Sequence, residues 1–402
     1  YNCLLMNLFA LALLGVVLMI DIYVFRGFKN IFPNKNWISN IYIISSIFTY
    51  IVILSYLYFG KESIFLSNKI FVVGFFQAII FTKVILLPFI LITDIMNIFD
   101  WLIHSIQSKP KEQIRNSGRY QFISQVGLLI SGAFFGSLIY GMVKGAYNLT
   151  KKRITIKVKN LPAELNNFKI VQISDAHLGS FASTLPIENT VKAINEENAD
   201  LFVFTGDLVN DKATESVPYI DILKNIQAKY GKYSILGNHD YGMYEEWDSK
   251  EDQNQNLLDL IENQKKMGWK MLLNENDTID IHGKKLSIIG VEYWGRSKRW
   301  GQYGDLDKAL VNLPPTDFKL LLTHDPSHWD LIVSQNPKYN DIPLSLSGHT
   351  HGFQFGVEIP GLKWSPSKYI YPHWAGLYPE KDRYLYVNRG LGFLGFPGRV
   401  GI

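Results

Sequence analysis

Apolar positions along the chain follow two regimes that change over near residue 150. In the first, they run in long blocks without alternation: NCLLMNLFALALLGVVLMIDIYV (2–24), ISNIYIISSIFTYIVILSYLYF (38–59), IFVVGFFQAIIFTKVILLPFILIT (70–93) and FISQVGLLISGAFFGSLIYGMVKGAY (122–147). A bilayer core about 30 Å thick needs about 20 apolar helical residues. Each block therefore predicts a span, and residues 1–150 a four-helix transmembrane domain. The first block lacks a basic leader and a cleavage signature, which argues against a removed signal peptide. DIMNIFDWLIHSI (94–106) alternates at helical spacing and predicts an interfacial helix. Gly132, Gly136, Gly141 and Gly145, small residues at spacings near four, predict that the fourth span sits inside the bundle. Lys83, deep in the third span, is expected to pair with Asp21 or to snorkel, with a relay or headgroup site as the alternative.

From residue 151 the apolar runs shorten. RITIKVK (153–159), FKIVQIS (168–174), LFVFT (201–205), KYSILG (232–237), KLSIIGV (285–291), FKLLLT (318–323), PLSLS (343–347) and YLYVN (384–388) read as strands. IENTVKAINEEN (187–198) and VPYIDILKNIQAKY (217–230) read as helices between them. Strands that are apolar throughout imply a sheet covered on both faces, and strand–helix alternation gives an α/β domain over 151–402.

Charge changes this picture little. The net charge of +4 is too weak to make nucleic acid the main partner. One cysteine, Cys3, excludes a disulfide framework or a cysteine metal site within the chain. Loops 26–37 and 107–121 carry seven basic residues (Arg26, Lys29, Lys35, Lys109, Lys111, Arg115 and Arg119). Lys61, Lys69, Lys151, Lys152, Arg153, Lys157 and Lys159 lie on the opposite side, five of them opening the folded domain, where charge counts for less. The expectation is an integral protein of a bacterial cytoplasmic membrane with its C-terminal domain outside.

The chemistry lies in the residues immediately after each strand. FKIVQIS runs into Asp175 and His177, LFVFT into Gly206-Asp207, and KYSIL into Gly237-Asn238-His239-Asp240. FKLLLT runs into His324, and PLSLS into Gly348-His349-Thr350-His351. Ligands of open α/β sheets bind at such carboxyl ends, and five of the nine histidines fall in these motifs. Imidazole and carboxylate donors without thiolate suit Mn, Fe or Zn. Asp175, His177, Asp207, Asn238, His324, His349 and His351 exceed the needs of one ion and suit two sharing a carboxylate, an arrangement fitted to phosphoester hydrolysis.

In order, the blocks DAH, GDLVND, GNHD, TH and GHTH resemble the calcineurin-like metallophosphoesterase superfamily. ISDAHLG, SGHTHG and VNRGLG are similar to its membrane-attached bacterial branch related to UDP-2,3-diacylglucosamine hydrolases. The resemblance implies a four-layer α/β/β/α sandwich and two divalent ions, Mn favoured. Asp175, His177 and His351 would hold the first ion, Asp207 would bridge, and Asn238, His324 and His349 would hold the second. A metal-bridging hydroxide would attack, His239 would protonate the leaving oxygen or clamp the phosphoryl group, and Asp240 would orient His239. Ala176 and Phe353 depart from the usual pattern without removing a ligand. The closing GLGFLGFPGRVGI resembles a segment that continues into a final strand.

Trp294, Trp300, Trp364 and Trp374, with the Gly/Phe run 390–398, suggest an apolar rim that admits a lipid tail or simply packs the sheet. Arg296, Lys298 and Arg299 lie nearby and suit phosphate or anionic headgroups. The leading expectation is a phosphodiesterase or pyrophosphatase acting on a phosphate-bearing lipid or lipid-linked compound. The alternatives are an anchored phosphodiesterase for soluble nucleotides or wall polymers, and a catalytically silent scaffold.

Overall fold

The computed structural model describes residues 2–32, 34–59, 69–107, 117–298 and 301–402. Lys61, Lys109, Lys111, Arg115, Arg299 and Trp300 lie outside them. The chain divides into two compact units, Tyr1–Val143 and Lys144–Ile402.

The first unit consists of α1 (Asn2–Ile31), α2 (Asn36–Phe59), α3 (Lys69–Gln107) and α4 (Ser117–Val143). Among the described residues, three segments are long and apolar enough to cross a membrane: Asn36–Ser55, Ile70–Ile103 and Gly118–Tyr147. The span expected at 2–24 falls on α1. Residues 94–106 do not form a separate interfacial helix but continue α3. No Pro or Gly interrupts the ladder there, and the polar side chains find partners: Asp94 binds Tyr23 and Arg26, and Asp100 accepts from Tyr120.

The glycine expectation for α4 also changes. Gly132 and Gly136 face open space, because the buried stripe of α4 runs through Ser124, Ser131, Leu138 and Met142. Among the helices, close approach occurs at Gly127, where an added Cβ would lie 2.6 Å from Phe89, while Gly141 is buried as expected. Lys83 does pair with Asp21, at 2.5 Å, and Ser46 and Tyr42 complete the hydrogen bonds. Helices α1, α2 and α3 thus share one satisfied polar network, which a buried charge requires.

The second unit contains twelve strands among the described residues. β1 (Ile170–Ile173), β2 (Leu201–Thr205), β3 (Lys232–Ile235) and β4 (Lys270–Met271) form a parallel sheet in that order. β5 (Glu275–Ile281), β6 (Lys284–Gly290), β7 (Phe318–Leu322), β8 (Leu344–Ser347), β11 (Gly376–Glu380) and β12 (Arg383–Val387) form a mixed sheet ordered β11-β12-β8-β7-β6-β5. Its central strands are parallel, and each antiparallel edge strand joins through a hairpin. β9 (Val357–Ile359) and β10 (Leu362–Trp364) pair only with each other.

Alternation along the strands builds the layers. Leu201, Val203 and Ile235 from one sheet meet Leu286, Ile288, Leu320, Leu322 and Leu346 from the other in an intersheet core. Phe202 and Phe204 point the opposite way, against α5 (Leu185–Asn195), α6 (Ile220–Lys224) and α7 (Lys250–Lys266). Ile289, Leu321, Leu385 and Val387 pack under Leu306 and Ala309 of α8 (Leu306–Ala309), Trp329 and Val333. The result is the expected α/β/β/α sandwich.

RITIKVK is not a strand: it is extended without a ladder and only lays Ile156 and Val158 on the intersheet core. β5 was not expected because ENDTIDI is polar. Its register is set by a two-residue turn in which His282 and Gly283 both take positive φ, the geometry that matches strand twist.

Candidate metal centre

β1, β2, β3, β7 and β8 all end where the sheets present their carboxyl edges, and the seven predicted ligand residues come within a few positions of those ends. Asp175, His177, Asp207, Asn238, His324 and His351 are buried, and His349 is nearly so. Asp175, His177, Asp207, His349 and His351 have φ between 45° and 73°. Left-handed backbone at five non-glycine residues is strained, and such strain gathers where a site demands it. The preceding glycines make room. A Cβ at Gly237 would lie 2.2 Å from Asp207 Oδ1, and one at Gly348 would lie 2.4 Å from Asp175 Oδ2.

The loops brace one another through these side chains. Asp175 accepts the His349 N–H at 2.9 Å, and Asp207 Oδ1 accepts the His239 N–H at 2.9 Å. Asp207 Oδ2 is left 3.1 Å from His324 Nε2 and 3.8 Å from His177 Nε2. His324 Nδ1 donates to the Thr205 carbonyl at 2.7 Å, which turns Nε2 inward by the usual logic of ligating histidines. His351 Nε2 lies 3.4 Å from Asp175 Oδ1, and His349 Nδ1 lies 3.3 Å from His324 Nε2.

Three groups have donor atoms within 4.8 Å of one another: Asp175–His177–His351, Asp207–His324–His349 and His177–Asp207–His239. Asn238 adds Oδ1, which is buried without a hydrogen-bond partner. An orphaned buried acceptor is costly, and its presence here fits a cation-binding site. Burial holds His177 down to about 3 and His351 well below its ordinary value, so both are neutral with lone pairs available. Burial raises Asp175 to about 6, against the charge of His324. For Asp207 burial acts upward, but the neighbouring His324 outweighs it and holds the carboxyl well below the usual carboxylate range. Burial would depress His324, yet the Asp207 carboxylate lifts it to about 10.

Residues 168–353 match the calcineurin-like phosphoesterase family, and residues 6–146 match the family described as the probable calcineurin-like phosphoesterase transmembrane domain. The chain is 30% identical over 294 residues to the uncharacterized metallophosphoesterase YkuE of Bacillus subtilis, covering 71% of this chain and 94% of that protein. The chain belongs to the calcineurin-like metallophosphoesterases. It is also 28% identical to a zebrafish (Danio rerio) transmembrane protein with metallophosphoesterase domain, covering 79% of this chain and 68% of that protein. The metallophosphoesterase Cj0846 of Campylobacter jejuni is 29% identical, with 70% and 67% covered. This metallophosphoesterase is therefore a membrane protein and a hydrolase of phosphoester bonds that uses divalent metal.

Two side-chain placements bear on the expectations for it. Asp240 makes no hydrogen bond to the His239 ring among the described residues. Its carboxylate accepts the backbone N–H groups of Gly237, Asp207 and Leu208 at 2.8–2.9 Å, while His239 Nδ1 faces the Asn210 carbonyl at 2.7 Å. Three converging N–H groups are a stronger attraction for a buried carboxylate than one imidazole. Of the two readings of the aromatics, Trp374 follows the packing one and is buried, and Trp294 is half-buried against His328.

Three residues of the metallophosphoesterase centre were not singled out from the sequence. Tyr371 brings its hydroxyl 2.9 Å from His349 Nε2, and Tyr244 places its own 2.9 Å from Asn238 Nδ2. Arg399, whose Nη2 donates to the Gly392 carbonyl, reaches within 3.4 Å of His351 Nδ1. Tyr371 and Arg399 come from loops 22 and 48 residues beyond the histidines they meet, and Tyr244 lies six residues past Asn238.

Proposed function

We propose that the chain is a dinuclear-metal phosphodiesterase or pyrophosphatase whose substrate is a phosphate-bearing lipid or lipid-linked compound. The reading rests on one observation: two donor groups, Asp175–His177–His351 and Asp207–His324–His349, lie side by side with Asp207 Oδ2 between His324 and His177. Asn238 Oδ1, buried and unpaired, supplements the second. Asp175, His177 and His351 would hold one ion and Asn238, His324 and His349 the other, with Asp207 shared and Mn²⁺ favoured. Two such ions, when bound, lower the pKa of water and offset charge on phosphoryl oxygens.

The protein's own part is to hold and donate. Asp207 keeps Oδ1 on the His239 N–H, so its free oxygen points to one place. His239 has Nδ1 committed to Asn210 and rests edge-on to His177, with Tyr244 at 4.4 Å on its other side. Its remaining nitrogen, Nε2, is the one free to pass a proton to a leaving oxygen. Exposed apolar residues after the GHTH motif, with Arg296 and Lys298 also exposed, support a lipid substrate. The distribution of Lys and Arg supports a catalytic unit on the outer side of a bacterial cytoplasmic membrane.

The test is phosphorus NMR of a phosphate-bearing lipid extract incubated with the protein and Mn²⁺, beside an Asp207→Ala control. A new resonance that depends on Asp207 is expected. Turnover confined to soluble phosphodiesters would replace the lipid with a nucleotide or wall polymer, and turnover by metal-depleted protein would remove the metal mechanism.

A further inference from the structure

The β9–β10 hairpin has its polarity reversed. Antiparallel pairing sets Leu362 opposite Ile359, Lys363 opposite Glu358 and Trp364 opposite Val357. Alternation therefore puts Val357, Ile359, Leu362 and Trp364 on one face and Glu358 and Lys363 on the other. The polar face is the one tied to the protein. Glu358 accepts from Arg389 at 2.8 Å and from Lys152 at 3.3 Å. Lys363 donates to the Ala375 carbonyl and lies over the rings of Trp374 and Tyr378.

The apolar face is left open, with Ile359 58% and Leu362 49% exposed. Tyr369, at 74%, and Ile370, at 50%, extend it, and the Trp364 indole nitrogen reaches the Tyr369 hydroxyl at 3.4 Å. Lys368 and Arg296 supply exposed cations beside it, Arg296 donating to the Ile370 carbonyl at 3.4 Å. Apolar patches framed by polar groups mark contact surfaces. Trp and Tyr beside Lys and Arg are the chemistry of a membrane interface with anionic headgroups.

The root of the hairpin bears on what covers that face. Gly145 and Tyr147 close the apolar segment Gly118–Tyr147 and already belong to the catalytic unit. Gly145 packs so tightly on Arg399 that a Cβ would lie 2.2 Å from its carbonyl oxygen. The next residue, Val400, accepts the N–H of Gly356 at 3.0 Å and forms a bridge with Phe355, immediately before β9. Lys152, bound to Glu358, is five residues beyond Tyr147, a reach of at most about 18 Å. The hairpin is therefore fastened where the chain leaves its apolar segment.

We propose that the apolar face of the Val357–Trp364 hairpin, with Tyr369 and Ile370, rests in the headgroup region of the bilayer. The same stretch begins at His351 and ends at Tyr371, which touches His349, so docking ties the metal centre to the lipid surface. That last consequence, access to lipid phosphoesters, rests on the proposed lipid substrate; the docking itself does not.

The test uses the full chain with Cys3→Ser, carrying a single cysteine at Ile359 or Leu362 labelled with an environment-sensitive fluorophore. A label at Leu258, exposed on α7, is the control. In nanodiscs of phosphatidylethanolamine and phosphatidylglycerol holding one protein each, the hairpin labels are expected to be blue-shifted and severalfold less quenched by iodide than the control. Lipids bearing a nitroxide near the headgroup should quench them. Iodide access equal to the control overturns the proposal. Shielding without nitroxide quenching also overturns it, assigning the face to protein.

The variant I359S/L362S should hydrolyse bis(p-nitrophenyl) phosphate within twofold of the parent and a vesicle-borne lipid phosphoester about tenfold more slowly. Nitroxide quenching with no such difference would keep the docking and remove the lipid substrate.

Discussion

The Nε2 atoms of His177 and His351 face each other at 3.1 Å, although 174 residues separate them in the chain. Burial keeps both rings neutral. Two lone pairs aimed at one point repel unless a proton or a cation lies between them.

A cation there predicts that His351→Ala removes one of the pair's two inward donors. Metal affinity should fall by at least roughly the 10–100-fold typical of losing even an outer partner. Added Mn²⁺ should raise the melting temperature of the parent and much less that of the variant. Equal shifts in both proteins would show that His351 is not a ligand.

Asp240 predicts a stability effect instead of a catalytic one. Asp240→Ala leaves three buried N–H groups, of Gly237, Asp207 and Leu208, without their acceptor. At roughly 1–3 kcal/mol for each orphaned donor, the loss should be about 3 kcal/mol or more, read as a lower melting temperature. An unchanged melt with a displaced limb of the pH–rate profile would return Asp240 to the role of orienting His239.

Tyr371 fixes the ring of His349 from outside. Removing its hydroxyl in Tyr371→Phe leaves Nε2 with Asp325, whose carboxylate is 3.5 Å away. Mn²⁺ affinity measured by titration calorimetry should fall roughly tenfold. Unaltered affinity would mean that Tyr371 only packs against the site.

His328 makes the catalytic unit sensitive to acid. It is buried, its Nδ1 meets the Thr323 hydroxyl at 3.0 Å, and burial pushes it down to about 4. In the unfolded chain it titrates near 6.5. Between these values the unfolded chain binds a proton that the folded one refuses. Its contribution is therefore complete above pH 6.5 and is lost as pH falls towards 4, by about 3 kcal/mol in all. The stability of His328→Gln, followed by denaturant titration of metal-loaded protein, should depend less steeply on pH over that window. Parallel curves for the two proteins would contradict this.

Much of this was legible in the sequence because its signals are local. Uninterrupted apolar blocks mark the membrane helices wherever they pack. Inner strands such as β2 and β7 are largely apolar because two layers cover them, and β8 buries even its serines. A ligand one to four residues past such a strand is carried to the sheet edge by the strand itself, so the order DAH, GD, GNHD, TH, GHTH was enough to name the seven candidates.

Tertiary structure decided whatever depends on partners distant in the chain. RITIKVK alternates well enough for a strand but finds no ladder, and polar β5 finds one across a two-residue turn. Residues 94–106 continue α3 because Asp94 and Asp100 are satisfied by α1 and α4. Asp240 serves three backbone amides, and Tyr371 reaches His349, only once the loops are folded together. The outward face of β9–β10 could not be read from its sequence either. Alternation divides a strand into two faces, and only the hydrogen bonds of Glu358 and Lys363 fix which one is tied to the protein.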